Sequence, residues 1–544
     1  MTATSTVEAV TAPSPLRTAR PARTGPLWLA TRARVLDIAG ATGSVLICVG
    51  AWATAYLPDG WAADAGWLNL PFIPGSAPAV IAFMVLIAGL VLLCGAWVAA
   101  GYEWSRDRRS RTDARHDQRT AWRLLLRSAW WGAPLLLAPP IASRDAWSYA
   151  ALGNMVRAGV SPYQHGPAAL PGNFADAVDP MWANTRSPYG PLFLDLAHRI
   201  VDFTGDSVVL GAIAMRLLAV GGLVLLAVYL PRLAADCGGS RSVAVWLVFL
   251  NPLVLVHFLG GEHNDALMMG LAVAGLAVAM RGSLWLGALL VALAVSVKVS
   301  AVIVVVAVGL VWAGQGSSRW RRIGGIALAS LTCLTVLELL GRFTGLGWGW
   351  VGALQTPGTV RSWLSLPTAL ALSFGSLLRV AGAGNHTDGL ISALRLVGAM
   401  TAAGVGAVLL VARRKPVLEA TALTLLACAV LGPADQPWYL LWGGVLLAAA
   451  PLSGRNVKRL AAISIGLCAY TLTSMAPTAM GRTGQTILIV ACVATGVGLF
   501  VWRRTRTGAP ASEDVPHPVP APALQSAPAP RPAPAPGGWS NSVA

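Results

Sequence analysis

Three short stretches hold ionisable residues where the surrounding chain is apolar. They are Ser143-Arg144-Asp145-Ala146-Trp147-Ser148-Tyr149, Gly260-Gly261-Glu262-His263-Asn264-Asp265 and Val295-Ser296-Val297-Lys298-Val299-Ser300. An acid beside aromatics, just after an apolar run, can sit in a partly dry cleft where its protonation is tuned for general base work. The plainer role for Asp145 is to cap the helix that follows, since Asp is a favoured N-cap. Both readings stand at this level. In Glu262-His263-Asn264-Asp265, capping by Asn264 or Asp265 uses one residue of the four. The excess points to a site, because ionisable groups at a membrane edge are functional candidates. Lys298 is a lone cation inside the long apolar stretch 283–314. It suits a phosphate, and the alternative is a lysine that snorkels to the interface. The spacing of these residues is not that of a dedicated metal site, so neither metal nor cofactor is expected.

Aromatic, amide and cationic residues surround these stretches. Segment 143–205 carries Tyr149, Tyr163, Trp182, Arg186 and Tyr189, the last two within Arg186-Ser187-Pro188-Tyr189-Gly190-Pro191. Segment 343–367 carries Arg361 and Trp363, and segment 432–442 carries Asp435, Gln436, Trp438 and Tyr439. Aromatic faces stack on sugar rings, and Arg binds phosphate or carboxylate. The bland reading of the isolated Trp residues is an aromatic belt at the bilayer interface.

The elements that position these residues are apolar helices. Of 544 residues, 55% are hydrophobic and only 12% charged, about half the charged share of a soluble domain. A bilayer core needs roughly 20 apolar residues per helix, and in lipid the backbone must satisfy itself. The chain is therefore all-α and polytopic. Candidate spans are 36–56, 77–101, 123–142, 207–230, 242–259, 265–280, 283–297, 299–314, 323–341, 388–411, 417–432, 438–452, 460–477 and 485–502. That gives about 13–14 transmembrane helices, with 365–380 amphipathic and interfacial or re-entrant.

Charge sets the orientation. Segment 103–127 holds eight Arg, whereas segment 143–205 holds four in a much longer stretch. The first is read as cytoplasmic and the second as extracytoplasmic, with both termini cytoplasmic in a multi-pass plasma-membrane protein. The net charge of +17 lies in short connector clusters, so no nucleic-acid partner is expected. The seven Cys show no CxxC spacing and read as small core residues. Three regions follow: an Arg-rich cytoplasmic segment 1–34, a membrane domain 35–503 with the large outer loop 143–205, and a cytoplasmic Pro/Ala-rich tail 504–544, expected to be disordered. No Walker motif and no GxGxxG turn appears on the cytoplasmic side.

Taken together, SRDAWSYAALGNMVRAGVSPYQHGP, RSPYGPLF, GGEHNDALMMG, SVKVSA, TPGTVRSWLS and GPADQPWYLLW resemble the C-type, polytopic glycosyltransferases that use polyprenyl-phosphate sugars. More closely, the chain resembles the actinobacterial polyprenol-phosphomannose-dependent α-1,6-mannosyltransferases of the lipomannan pathway, over about residues 35–500. The resemblance implies a polyprenyl-phosphate mannose donor and a membrane-anchored α-1,6-mannan acceptor. It implies inverting transfer with Asp145 as base, assisted or oriented by His263 or Glu262. Lys298, Arg186 and Arg361 become candidates for the donor phosphate. Tyr149, Tyr163, Tyr189, Asp265, Trp363, Asp435, Gln436, Trp438 and Tyr439 become candidates for sugar and acceptor. Asp145, Glu262, His263, Lys298, Arg186 and Arg361 are expected to converge at the outer face.

Other readings are a lipid-linked sugar flippase or transporter, a scaffold of a cell-wall assembly, or the same fold acting on another polyprenyl-phosphate sugar. A transporter would place its ionisable residues near mid-membrane and show repeats. Here they gather toward one face, and no long repeat is visible.

Overall fold

The computed structural model describes residues 26–52, 77–110, 113–412, 415–473 and 475. No β-strand occurs among them. Two long helices, α1 (Pro26–Ala51) and α2 (Ala77–Ser110), pack along one another. Next come α3 (Ala114–Gly132) and a short 3₁₀ turn over Ala133–Leu137. The segment beyond it folds into α4 (Asp145–Arg157) and α5 (Pro191–Thr204), which pack together. The chain returns through α6 (Val208–Ala214), α7 (Arg216–Asp236), α8 (Arg241–Phe249), α9 (Asp265–Met280), α10 (Leu284–Val297), α11 (Val302–Ala313) and α12 (Arg319–Thr344). It continues as α13 (Leu366–Val380), α14 (Thr387–Gly406), α15 (Val417–Leu431) and α16 (Leu440–Ala448), then a helix over 454–473.

The core is centred on α9. Nearly every one of its positions is buried, as expected for a helix that is apolar on all sides. Small residues let its backbone approach α7. A Cβ on Gly222 would lie 2.2 Å from the carbonyl oxygen of Ala266, and one on Gly270 would lie 2.5 Å from that of Gly222. Close approach of this kind is how helices associate in lipid, where no hydrophobic drive brings them together.

Among the described residues, five stretches are long and apolar enough to cross a membrane: Ala33–Ala51, Ala77–Glu103, Val208–Asp236, Arg319–Thr344 and Thr387–Val411. A sixth counts if α8 and the turns over Pro252–Gly260, bent by 49°, form one span. Six more apolar helices have only 10–17 residues. Long and short together, these helices make the described residues an all-α, polytopic membrane array. The expected span 123–142 is instead the last part of α3 and its 3₁₀ extension, and the expected span 485–502 lies outside the described residues, as do 1–25 and 504–544. The expected amphipathic segment 365–380 is α13, whose first turn is capped by Ser365 accepting from Thr368 N. Apolar runs that read as single spans break where a polar residue must be placed. At Asn251-Pro252 the proline cannot continue the helix, and Asn251 Oδ1 accepts from Leu253 N at 3.0 Å. A π turn over Leu255–Gly260 follows. Such irregular backbone is tolerated at membrane depth only where protein or a cavity surrounds it.

Candidate active site

Asp145 is the first residue of α4, and it does not act as a cap. The Ser143 hydroxyl accepts from the Asp145 backbone N–H at 3.0 Å. The Asp145 carboxylate is therefore left for tertiary contacts. Its Oδ2 lies 3.2 Å from His263 Nδ1. Burial raises the Asp145 carboxyl, but His263, Lys298 and Ser143 outweigh it and hold the group below its ordinary value. Asp145 is thus a carboxylate at neutral pH.

His263 reaches Asp145 because the chain turns sharply before α9. Glu262 has φ +58 and, on the facing segment, Ala142 has φ +62. Both lie in the left-handed region, which costs a non-glycine residue about 1 kcal/mol or more unless its surroundings hold it. Arg216, at the start of α7, bonds Glu262 and the segments that lead into both turns. Its guanidinium donates to the carbonyls of Leu136 (2.6 Å), Ala138 (2.8 Å), Leu259 (3.2 Å) and Gly260 (3.4 Å), and to Glu262 Oε1 at 2.5 Å. Ile141 N–H donates to Gly260 O at 3.0 Å. One buried cation therefore ties the segment before Asp145 to the segment before His263. Burial pushes the Glu262 carboxyl up to about 8, against the opposing pull of Arg216.

The His263 ring is wholly buried and stacks on Trp438, centroids 3.7 Å apart. The next two residues open α9 without capping it: Asn264 makes no side-chain cap bond. Asp265 instead accepts both oxygens' worth of contact from Lys298 Nζ, at 2.9 Å each, and a bond from Trp442 Nε1 at 2.6 Å. Lys298 sits in the break between α10 and the turn leading to α11. Burial would lower its ammonium, but Asp265 beside it more than compensates and keeps it charged. Its Nζ also lies 4.6 Å from the centre of the Tyr439 ring.

The Ser187-Pro188-Tyr189-Gly190-Pro191 turn docks against this break. Gly190 N–H donates to Val297 O at 3.3 Å, and Leu192 N–H to Ser296 Oγ at 3.0 Å. A side chain at Gly190 would place its Cβ 2.3 Å from Ser296 O. Behind the turn, Tyr149, Tyr189 and Phe193 pack edge to face, and the Tyr163 hydroxyl donates to Tyr189 O at 2.9 Å.

These elements enclose a cavity of about 550 Å³. Asp145, Arg186, Tyr189, Lys298, Gln436, Trp438 and Tyr439 line it. Arg144 and Trp442 also line it, although the sequence pattern had not singled them out. Arg144 was legible as the neighbour of Asp145, whereas Trp442 looked like one more belt aromatic. Arg216 was not legible, because it sits inside an apolar run with no motif around it. A second, almost wholly apolar cavity of about 470 Å³ lies between α11, α14 and α15. It shares Ile303, Cys428 and Gly432 with the first.

The other expected residues lie away from the cavity wall. Glu262 faces Arg216, and Asp265 stands behind Lys298. Tyr149 and Tyr163 are packed behind Tyr189. Asp435 is buried between two lining residues, and burial pushes its carboxyl up to about 7. Arg361 pairs with Asp388 at 2.6 Å in a largely exposed ion pair, and Trp363 is exposed. The structure thus brings Asp145, Lys298 and Arg186 to one cavity, with His263 beside Asp145, Glu262 on Arg216 and Arg361 on Asp388.

Comparison with known proteins gives the class. Residues 37–314 match the family model described as "Alpha-(1->6)-mannopyranosyltransferase, N-terminal domain", and residues 367–504 match "MptB C-terminal domain". A polytopic membrane glycosyltransferase is what the helical array and these matches define. The chain belongs to the alpha-(1->6)-mannopyranosyltransferase family. It is 34% identical to a probable alpha-(1->6)-mannopyranosyltransferase of Mycolicibacterium smegmatis, over 75% of this chain and 78% of that one. It is 34% identical to alpha-(1->6)-mannopyranosyltransferase A of Mycobacterium tuberculosis, over 68% and 72%. Alpha-(1->6)-mannopyranosyltransferase B of Corynebacterium glutamicum is 29% identical, over 76% and 72%. No solved structure matches.

Proposed function

We propose that this protein transfers mannose from a polyprenyl-phosphate mannose to a growing, membrane-anchored α-1,6-mannan on the outer face of the plasma membrane. The observation that carries this reading is the Asp145–His263 contact on the wall of a cavity that Lys298, Arg144 and Arg186 also line. An acid held as a carboxylate and three cations line one space of about 550 Å³. That arrangement suits attack by a hydroxyl on one side and departure of a phosphate on the other.

In this reading the acceptor 6-hydroxyl oxygen attacks C1 of the β-linked mannosyl donor. The C1–O bond to phosphate breaks with its electron pair on the phosphate oxygen, and the hydroxyl proton passes to Asp145. Configuration inverts, giving an α-1,6 link and free polyprenyl phosphate. A carboxylate of low basicity suffices, because positive charge builds at the sugar ring and the attacking hydroxyl grows acidic as the new bond forms. Phosphate leaves without a general acid. Lys298, Arg144 and Arg186 line the space that would hold it and supply the positive charge there. His263, pinned on Trp438, orients Asp145. Glu262 acts through Arg216 as a positioning residue. The apolar cavity between α11, α14 and α15 suits the isoprenoid chain of the donor, because it is apolar and adjoins the polar cavity, sharing Ile303, Cys428 and Gly432 as lining. Gln436, Trp438 and Tyr439 suit the sugar hydroxyls and ring faces.

The test compares membranes carrying wild type or Asp145→Asn, given radiolabelled polyprenyl phosphomannose and a short α-1,6-mannoside acceptor. Loss of a base costs about 10²–10⁴-fold in rate, at unchanged protein level. Equal transfer by both proteins removes Asp145 from the mechanism. No transfer by either, from well-folded protein, returns the question of the donor sugar first, and then the sugar-flippase reading.

A further inference from the structure

A cavity of about 600 Å³ lies between α3, α7 and the broken helix α8, apart from the candidate active site. Its walls are apolar, with Trp122 on α3, Val224 and Val228 on α7, and Phe249 and Leu255 on the broken helix. Trp122, Val224 and Val228 are also exposed, so the groove opens sideways at the protein surface. One end differs in chemistry: Gln118, Arg232 and Arg241 line it.

The two arginines have no carboxylate partner among the described residues. Arg232 lies 5.6 Å from the centre of the Tyr229 ring. The nearby acids are taken. Asp236 is held by Arg281 at 2.6 Å. Asp117 accepts from the Ser240 and Ser242 hydroxyls and from the backbone N–H of Arg241 and Ser242. Two arginines at one end of an apolar groove, unpaired with any carboxylate among the described residues, are the complement of a lipid with an anionic head and apolar chains. A basic pocket between transmembrane helices on the cytoplasmic side is a known way to hold such a headgroup. The Lys/Arg distribution places the connector 231–241 on that side.

We infer that this groove binds one anionic phospholipid, its phosphate on Arg232 and Arg241 and its acyl chains along α3 and α7. The far end of the groove is lined by Leu136 and Leu259. The carbonyls of those two residues accept from Arg216. A bound chain therefore packs under the backbone that sets the turns before Asp145 and His263, and lipid occupancy supports the geometry of the active site.

The test reads binding and needs no activity. Full-length protein is equilibrated with vesicles of phosphatidylcholine containing phosphatidylglycerol, extracted in mild detergent, and its retained lipid counted by mass spectrometry. Wild type keeps phosphatidylglycerol in preference to phosphatidylcholine. Arg232→Gln/Arg241→Gln lowers that retention roughly tenfold or more, the scale of two basic residues near an anionic lipid. Arg232→Lys/Arg241→Lys preserves it. Val224→Trp fills the groove, keeps the charges and abolishes it. Equal retention of both lipids by wild type overturns the inference. So does undiminished phosphatidylglycerol on the Gln double variant or on Val224→Trp.

Discussion

Glu262→Gln separates positioning from chemistry at the turn before α9. The Arg216 and Glu262 side chains are 4% and 0% exposed, so each depends on the other. Burial raises the Glu262 carboxyl from 4.5 to about 8, so the group carries its proton near neutrality. A glutamine matches that protonated form in shape and keeps an oxygen for Arg216. Alanine removes the acceptor and leaves a buried guanidinium one partner short. Losing a hydrogen bond to a charged group costs about 1.5–3 kcal/mol. The left-handed turn at residue 262 then loses the contact that holds it, and a shift of about 1 Å in a catalytic group costs on the order of 10²-fold in rate.

The expected outcome is mannosyl transfer by Glu262→Gln within roughly tenfold of wild type, since tenfold corresponds to about 1.4 kcal/mol. Glu262→Ala falls by about 10²-fold and melts at lower temperature. The assay is transfer from polyprenyl phosphomannose in membranes, with thermal unfolding of the purified proteins beside it. The stability of the pair also has a sign. The folded state keeps the Glu262 proton while the unfolded chain releases it, so this contribution to stability falls as pH rises from 4.5 to about 8. Glu262→Gln flattens that slope. A Gln variant with wild-type stability but an activity loss of about 10²–10⁴-fold, the size of a lost general acid or base, refutes the reasoning and makes Glu262 a proton carrier.

Asp435 titrates in the same direction, from 3.8 to about 7 under burial. Asp435→Asn therefore raises the unfolding temperature at pH 8 more than at pH 5, and an equal shift at both excludes a buried proton there. Lys298→Met leaves the buried Asp265 carboxylate without its cation, a loss of about 3–5 kcal/mol. Adding Asp265→Asn recovers part of it in thermal unfolding, and a double variant no more stable than the single one breaks the pairing argument. Gly190→Ala forces a Cβ against Ser296 O, an overpacking cost of about 1–3 kcal/mol. It lowers transfer by moving the Tyr189 turn off the Lys298 break, and wild-type stability and transfer would show that the turn does not need this contact.

The sequence by itself determined the class of fold and much of the candidate site. Apolar composition and run length dictate membrane helices, because lipid offers the backbone no other partner. Asp145, His263 and Lys298 were legible as charge placed in apolar surroundings, where a polar group persists only with a reason to be there. The tertiary structure decided what each one touches. Asp145 does not cap its helix, because Arg144 takes the N-cap position and the Asp145 carboxylate turns to His263. Whether Glu262 meets solvent or Arg216 depends on a contact between residues 46 apart in the chain. The length of the apolar stretch 283–314 already implies a break near Lys298, but only the packing shows that its ammonium meets Asp265. Arg361 and Lys298 are both cations in segments expected to be extracytoplasmic, yet one is exposed on Asp388 and the other lines the cavity. Local sequence fixes residue type and helical period. Only the packing of distant segments fixes which polar atoms share a low-dielectric space, and that sharing sets their charge and chemistry.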